Sequence, residues 1–296
     1  MSIQDSIKAR LRNRAIRENR TFQEILTIYS LERMLYRLSI SKYSKHYVLK
    51  GGILLYAMYK GNYKRGTADV DLLGQSLTND LKTIQDSFIE ILNLSCEEDG
   101  ISYDISTVKA TRITEFKKYP GINISIDGYI SKTKISIQID VGFGDVVSPE
   151  IEIMDYPTLL DLPAPIVQIY SKESIIAEKF QAIVSLGYAN SRMKDFYDIY
   201  ALLNTFDFEY SILKEAIKET FNNRNTSFDQ IVAFEGEYAN DPYRKNLWLS
   251  FMKAKKIEIK VEFDSVIDSI KIFLKPVIDG GLQLNLIWNH NRLVWM

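Results

Sequence analysis

The alternation of apolar and polar positions changes character along the chain, and each change predicts a different kind of element. Up to about Ser44, apolar residues recur at helical spacing, with Phe22, Ile25, Leu26, Tyr29 and Leu35 on one face, so this stretch reads as helical. From Tyr47 the pattern is mixed. YVLK is a short apolar strand, Gly51-Gly52 turns it, ILLYAMYK reads as a helix and TADVDLL as a second strand. A helical stretch follows near Asp80 to Leu94. In GINISIDGYI, Ile122, Ile124 and Ile126 then alternate with Asn123, Ser125 and Asp127. In KISIQIDVGF, Ile135, Ile137, Ile139 and Val141 alternate with Ser136, Gln138, Asp140 and Gly142. The short break at Ser131-Lys132 predicts a hairpin between these two strands.

Pro157, Pro163 and Pro165 punctuate a connector, and beyond it the pattern is helical: SKESIIAEKFQAIVSLG, SRMKDFYDIYALL, YSILKEAIKETF and a last helix near Asp264 to Phe273. The expected organisation is α/β (α+β). Residues 1–155 would hold N-terminal helices and a mixed sheet flanked by helices, and residues 156–296 a mainly helical domain. There is no internal repeat and no low-complexity segment.

Composition narrows the chemistry. At 296 residues, 46% hydrophobic and 25% charged, the chain can bury a sizeable core. A single cysteine, Cys96, excludes disulfide frameworks and thiolate zinc sites, and His46 and His290 alone exclude a histidine-rich metal site. The start is polar and basic, unlike a secretory signal, and no apolar run reaches membrane-spanning length, so the expected location is the cytoplasm. A net charge of −1 hides an asymmetry. Lys8, Arg10, Arg12, Arg14, Arg17 and Arg20 crowd the N-terminal segment, and Lys60, Lys64 and Arg65 sit near the glycine turn. Clustered positive charge suits a phosphate-bearing partner, and equally a solvated helix face.

In TADVDLL, strand alternation sets Ala68, Val70 and Leu72 on one face and Thr67, Asp69 and Asp71 on the other. Two carboxylates side by side repel unless a cation lies between them. Mg²⁺, which takes oxygen ligands and binds through one or two carboxylates plus substrate phosphates, is the usual cation. A strand end carrying turn-forming aspartates reads the same way. Asp140 adds a third carboxylate from the polar face of its own strand, and three such groups can hold two metal ions. Gly51 and Gly52 allow close approach of backbone to ligand at a helix start, where free N–H groups can meet a phosphate. Downstream, Lys179 has Ile175, Ile176, Ala182 and Ile183 as helical neighbours, so it either snorkels or meets an anion. Asp195 and Asp198 lie one turn apart. Arg192 could pair with Asp195 and Lys194 with Asp198, or an aspartate could orient Lys179 or bind the nucleotide.

The segments LERMLYRLSISKY, YVLKGGILLYA, KRGTADVDLLG, IQIDVGFGD, AEKF and NSRMKDFYDIYALL, in this order from about Leu31 to about Leu203, resemble the AbiEii/AbiGii nucleotidyltransferase-like toxin family. That family belongs to the polymerase-beta-type nucleotidyltransferases and supplies toxins of type IV toxin–antitoxin and abortive-infection systems. The resemblance implies that Gly51 and Gly52 form the nucleotide-binding turn and that Asp69 and Asp71 are the metal-binding pair, with Arg65 and Thr67 in the lead-in. It also implies that Asp140 is the third carboxylate, that Lys179 is the helical lysine and that Asp195 is the later aspartate, with Asp198 beside it. Where many nucleotidyltransferases carry Gly-Ser, this chain carries Gly-Gly, so backbone N–H groups must serve in place of the serine hydroxyl. The tail WNHNRLVWM offers no motif.

The expected activity is therefore Mg²⁺-dependent transfer of a nucleoside monophosphate from an NTP to a hydroxyl, at a site between the two domains. In this reading Asp69, Asp71 and Asp140 hold metal, Lys179 binds triphosphate charge and Asp195 positions it. The resemblance further implies an RNA acceptor, a tRNA 3′ end among them, and a cognate antitoxin, with no membrane partner. Nucleotidylation or phosphorylation of a protein or small-molecule hydroxyl is the enzymatic alternative. A nucleotide-binding module without catalysis is the other.

Overall fold

The structure, a computed structural model, describes residues 2–63, 65–67, 69–113, 121–281 and 283–296. Lys64 and Ala68, both singled out in the sequence, lie outside the described residues. The first helical stretch divides in two. Helix α1 (Ile3–Arg17) ends where Asn19 turns to a φ of 51°, and Thr21 starts α2 (Phe22–Ile40) with a capping box. The Thr21 hydroxyl accepts from the Glu24 N–H while the Glu24 carboxylate accepts from the Thr21 N–H, so two otherwise orphaned donors are satisfied.

Chain order continues with β1 (Tyr47–Lys50), α3 (Gly51–Met58), β2 (Asp69–Gly74), α4 (Leu81–Leu92), β3 (Ile101–Ile113), β4 (Gly121–Ile130), β5 (Thr133–Gly142), β6 (Glu152–Asp155) and β7 (Ile166–Ile169). These strands form one mixed sheet in the order β3-β4-β5-β2-β1-β7-β6. The hairpin expected at Ser131-Lys132 is the β4–β5 connection, with Ile130 opposite Thr133. Ile122, Ile124, Ile126, Ile135, Ile137, Ile139 and Val141 are all buried, as the alternation required, and α1, α2 and α4 pack against the sheet. Strand β3 was not among the expected elements, although Ile101, Tyr103 and Ile105 alternate with Ser102, Asp104 and Ser106; an irregularity between Asp104 and Lys109 ends that alternation.

Buried ionic contacts tie the helices to the loops that carry the strands. Asp99 pairs with Arg37 at 2.6 Å. Glu32 Oε2 accepts from the Leu159 N–H at 2.6 Å, and Arg33 Nη2 reaches both Glu32 Oε1 (3.0 Å) and the Pro163 carbonyl (2.8 Å). Burial pushes the Glu32 carboxyl up to about 7, against the opposing charge of Arg33. The stretch between β6 and β7 is thereby fastened to α2.

Two compact units emerge from the contacts, the first spanning 1–144 with 152–169 and the second 145–151 with 170–296. Residue 155 lies at the end of β6, inside the first unit. The second unit contains α5 (Lys172–Leu186), α6 (Met193–Leu203), β8 (Phe208–Glu209), α7 (Tyr210–Asn223), α8 (Gly236–Asn240), α9 (Pro242–Ala254), α10 (Phe263–Asp279), β9 (Ile287–Asn289) and β10 (Val294–Trp295). The tail without a motif is structural. It pairs as β9 and β10, buries Trp288 with its indole N–H on the Leu203 carbonyl (2.7 Å), and stacks Trp295 on Phe273.

Candidate active site

Register decides which polar residues of the sheet meet. Strands β2 and β5 run parallel with Asp71 opposite Asp140 and Asp69 opposite Gln138. Strand β4 sets Asn123 opposite Asp140, and β1 sets Lys50 opposite Asp71. Paired residues share a face, so Asn123, Asp140, Asp71 and Lys50 form one row across four strands. The opposite face carries Val70, Ile139 and Ile124, all buried. The structure thus supplies the sheet geometry that the DxD pattern required, with Asp140 on the neighbouring strand. Asn123 Nδ2 donates to Asp140 Oδ1 at 2.6 Å, which orients that carboxylate.

The glycine turn and the carboxylates are in direct apposition. Gly51 has a φ of 72°, open to glycine at little cost, and a Cβ there would lie 1.9 Å from Asp71 Oδ2. Gly52 is equally confined, since its Cβ would lie 2.9 Å from Thr67 Oγ1 and 3.0 Å from Arg65 Nη2. Arg65 is buried, with its guanidinium over the Tyr63 ring at 5.9 Å. The lead-in residues therefore fold back over the turn that opens α3. At the N-cap of that helix, Lys50 makes no side-chain cap hydrogen bond.

Asp69 is exposed and Asp71 partly so, two hard oxygen donors on one strand face, which is the donor set Mg²⁺ takes. Among the described residues, no group of three or more His, Cys, Asp or Glu side chains is gathered as a metal cage. The residues present fit an ion bound by two carboxylates whose remaining ligands come from substrate and water.

In the second unit, Lys179 is drawn into a carboxylate pair rather than out to solvent. Its ammonium lies 3.0 Å from Asp195 Oδ1 and 2.5 Å from Asp198 Oδ2. Arg192 Nε donates to the other oxygen of Asp195 at 2.7 Å, which realises one suggested pair. The suggested Lys194–Asp198 pair does not match the structure: Lys194 is exposed, while Asp198 is fully buried and bound by Lys179. Burial raises the Asp195 carboxyl pKa, but Lys179 and Arg192 together outweigh it and hold the group below the ordinary carboxylate value.

A family model described as "Nucleotidyl transferase AbiEii toxin, Type IV TA system" matches residues 33–275, most of the chain. The chain belongs to this family. As an AbiEii member it is a nucleotidyltransferase of the toxin class of type IV toxin–antitoxin systems, which implies a nucleotide substrate and an antitoxin partner. Two solved Helicobacter pylori structures are similar to it. One, a candidate nucleotidyltransferase, shares 15% identity with a TM-score of 0.48, covering 86% of this chain and 95% of that one. The other, JHP933, shares 14% with a TM-score of 0.49, covering 86% and 92%. No curated protein matches. Among the described residues, no helix is long and apolar enough to cross a membrane.

Within the first unit of this AbiEii protein, Gly51, Gly52, Arg65, Thr67, Asp71 and Asp140 come together, with Asp69 one step along β2. Lys179, Asp195 and Asp198 form a cluster of their own within the second. Two residues escaped the sequence reading, Asn123 and Lys50. Asn123 was visible only as one polar-face residue among several, and its partner follows from hairpin register. Lys50 precedes the glycine pair, and only the β1–β2 register sets it beside Asp71.

Proposed function

We propose that this enzyme transfers a nucleoside monophosphate from an NTP to a hydroxyl of RNA, a tRNA 3′ end being the candidate acceptor, in the cytoplasm and under restraint by a cognate antitoxin. The observation that carries the reading is the apposition of the Gly51 turn to the Asp71 carboxylate, with Asp140 opposite Asp71. A phosphate received at the turn would lie beside the groups that bind its counter-ion. Asp69 and Asp71 would hold Mg²⁺, and Asp140, oriented by Asn123, is the carboxylate available to a second ion. Bound Mg²⁺ would neutralise charge on the triphosphate and lower the pKa of the attacking hydroxyl.

The chain's own groups supply the rest. The first N–H groups of α3 are assigned to phosphate oxygens. The Thr67 hydroxyl, 2.9 Å from where a Gly52 Cβ would stand, offers the hydroxyl that Gly-Gly lacks. Arg65 and Lys179 are assigned to triphosphate charge, with Asp195 and Asp198 positioning the lysine. Purified protein incubated with total RNA and each labelled NTP in turn tests the reading. Label on RNA with one preferred NTP is expected. Label on protein would move the acceptor to a protein hydroxyl, and nucleotide binding without any label would leave a binding module.

A further inference from the structure

The basic N-terminal residues do not act as one patch. Lys8 donates to the Thr133 hydroxyl at 2.6 Å, and Arg12 lies over the Phe22 ring at 5.1 Å. Arg20 donates to the Gly61 carbonyl at 3.0 Å and lies over the Tyr56 ring. Arg14 is held by Glu18 and by the Leu159 carbonyl. Arg10 and Arg17 are different. Both are exposed and, among the described residues, neither side chain has a hydrogen-bond, ion-pair or ring-contact partner.

These residues share a cavity. Helix α1 buries Ile7, Leu11 and Ala15 on one side, while Arg10, Asn13, Arg14 and Arg17 follow helical spacing on another. With Leu159 and Asp161 they line a space of about 300 Å³. Its far wall is fixed, since the Leu159 N–H is taken by Glu32 and the Leu159 carbonyl by Arg14. Three arginines thus line one cavity with a single lining carboxylate, Asp161. An anion seated there would complement Arg10 and Arg17, whose charge no ion pair among the described residues answers. Guanidinium forks match phosphate oxygens in geometry as well as charge. Arg10 and Arg17 stand two helical turns apart, about 10 Å along the axis. That span exceeds a single phosphate and suits successive phosphates of a strand.

We infer that this pocket grips the sugar–phosphate backbone of the acceptor strand, an inference that rests on the reading of RNA as acceptor. The test is a salt titration of RNA binding with wild type, Arg10→Gln/Arg17→Gln and Arg12→Gln, alongside NTP affinity and melting temperature. Two lost phosphate contacts should lower the slope of log K against log salt by about 1.4 on single-stranded RNA. NTP affinity, melting temperature and the Arg12→Gln slope should match wild type. A wild-type slope in the double variant would overturn the pocket, as would an equal drop in Arg12→Gln. Loss of NTP affinity in the double variant would reassign the pocket to the triphosphate, and loss of antitoxin binding with RNA binding intact would reassign it to an acidic protein segment; either overturns the inference. Wild-type protein that shows no salt-dependent RNA binding would contradict the RNA reading itself, an outcome distinct from a pocket that fails in an RNA-binding protein.

Discussion

Replacing Gly51 by alanine tests whether the glycine turn and the aspartate pair are one site. At a φ of 72°, an L side chain costs about 1–2 kcal/mol in backbone strain. The new Cβ would also stand 1.9 Å from Asp71 Oδ2, 2.6 Å from its carboxyl carbon and 2.7 Å from its Cβ. Real contacts keep at least 3.0 Å, so the carboxylate must retreat by more than an ångström. A misplacement of that size in a reacting constellation costs on the order of 100-fold in rate. Transfer should therefore fall by roughly two orders of magnitude, while strain alone lowers the melting temperature by about 2–8 °C. Gly100→Ala is the control, with a φ of 62° and Ile7 rather than a carboxylate as its nearest neighbour. It should melt lower and keep its activity. Label transfer and calorimetric melting on both variants decide the matter. Gly51→Ala retaining more than about a tenth of wild-type transfer would refute the coupling, as would an equal loss in Gly100→Ala.

Further expectations follow from the same contacts. Lys179→Met removes the cation shared by two buried carboxylates and should cost about 3–5 kcal/mol; an unchanged melting temperature would mean a snorkelling lysine after all. Because the folded Asp195 pKa lies below its unfolded value of 3.8, its contribution is present above that pH and lost as the pH falls. The melting temperatures of wild type and Lys179→Met should accordingly converge in acid. Asn123→Ala should weaken Mg²⁺ binding by about 10–100-fold in calorimetric titration; wild-type affinity would make Asn123 scaffolding. Glu32, at about 7 folded against 4.5 unfolded, makes wild-type stability decline as pH rises through that window. Glu32→Gln should be flat there, and a persisting decline would assign the pH dependence to another group.

What could be read in the sequence was whatever depended on local period. The isoleucine alternation of β4 and β5 gave their buried faces, and the Gly-Gly and DxD patterns named the residues that now lie together. Register could not be read, because no local signal says that Asp71 faces Asp140 or that Asn123 holds it. Local rules also misled where burial overrode them. The i,i+4 spacing suggested Lys194 for Asp198, yet Asp198 is buried, and Lys179 of another helix, α5, reaches it. Strand β3 was missed because the alternation of Ile101, Tyr103 and Ile105 with Ser102, Asp104 and Ser106 is cut short by the irregularity between Asp104 and Lys109, and the helical N-terminus was read as continuous across the break that Asn19 and the Thr21 cap create.

Label position on the nucleotide tests the central claim most directly. Wild type and Asp71→Asn are each incubated with RNA and the preferred NTP, labelled at either the α or the γ phosphate, in the presence of Mg²⁺. Nucleotidyl transfer places the α label on RNA and releases the γ label with pyrophosphate, and Asp71→Asn abolishes it with its circular dichroism unchanged. The γ label appearing on the acceptor, or wild-type transfer by a folded Asp71→Asn, would contradict the account.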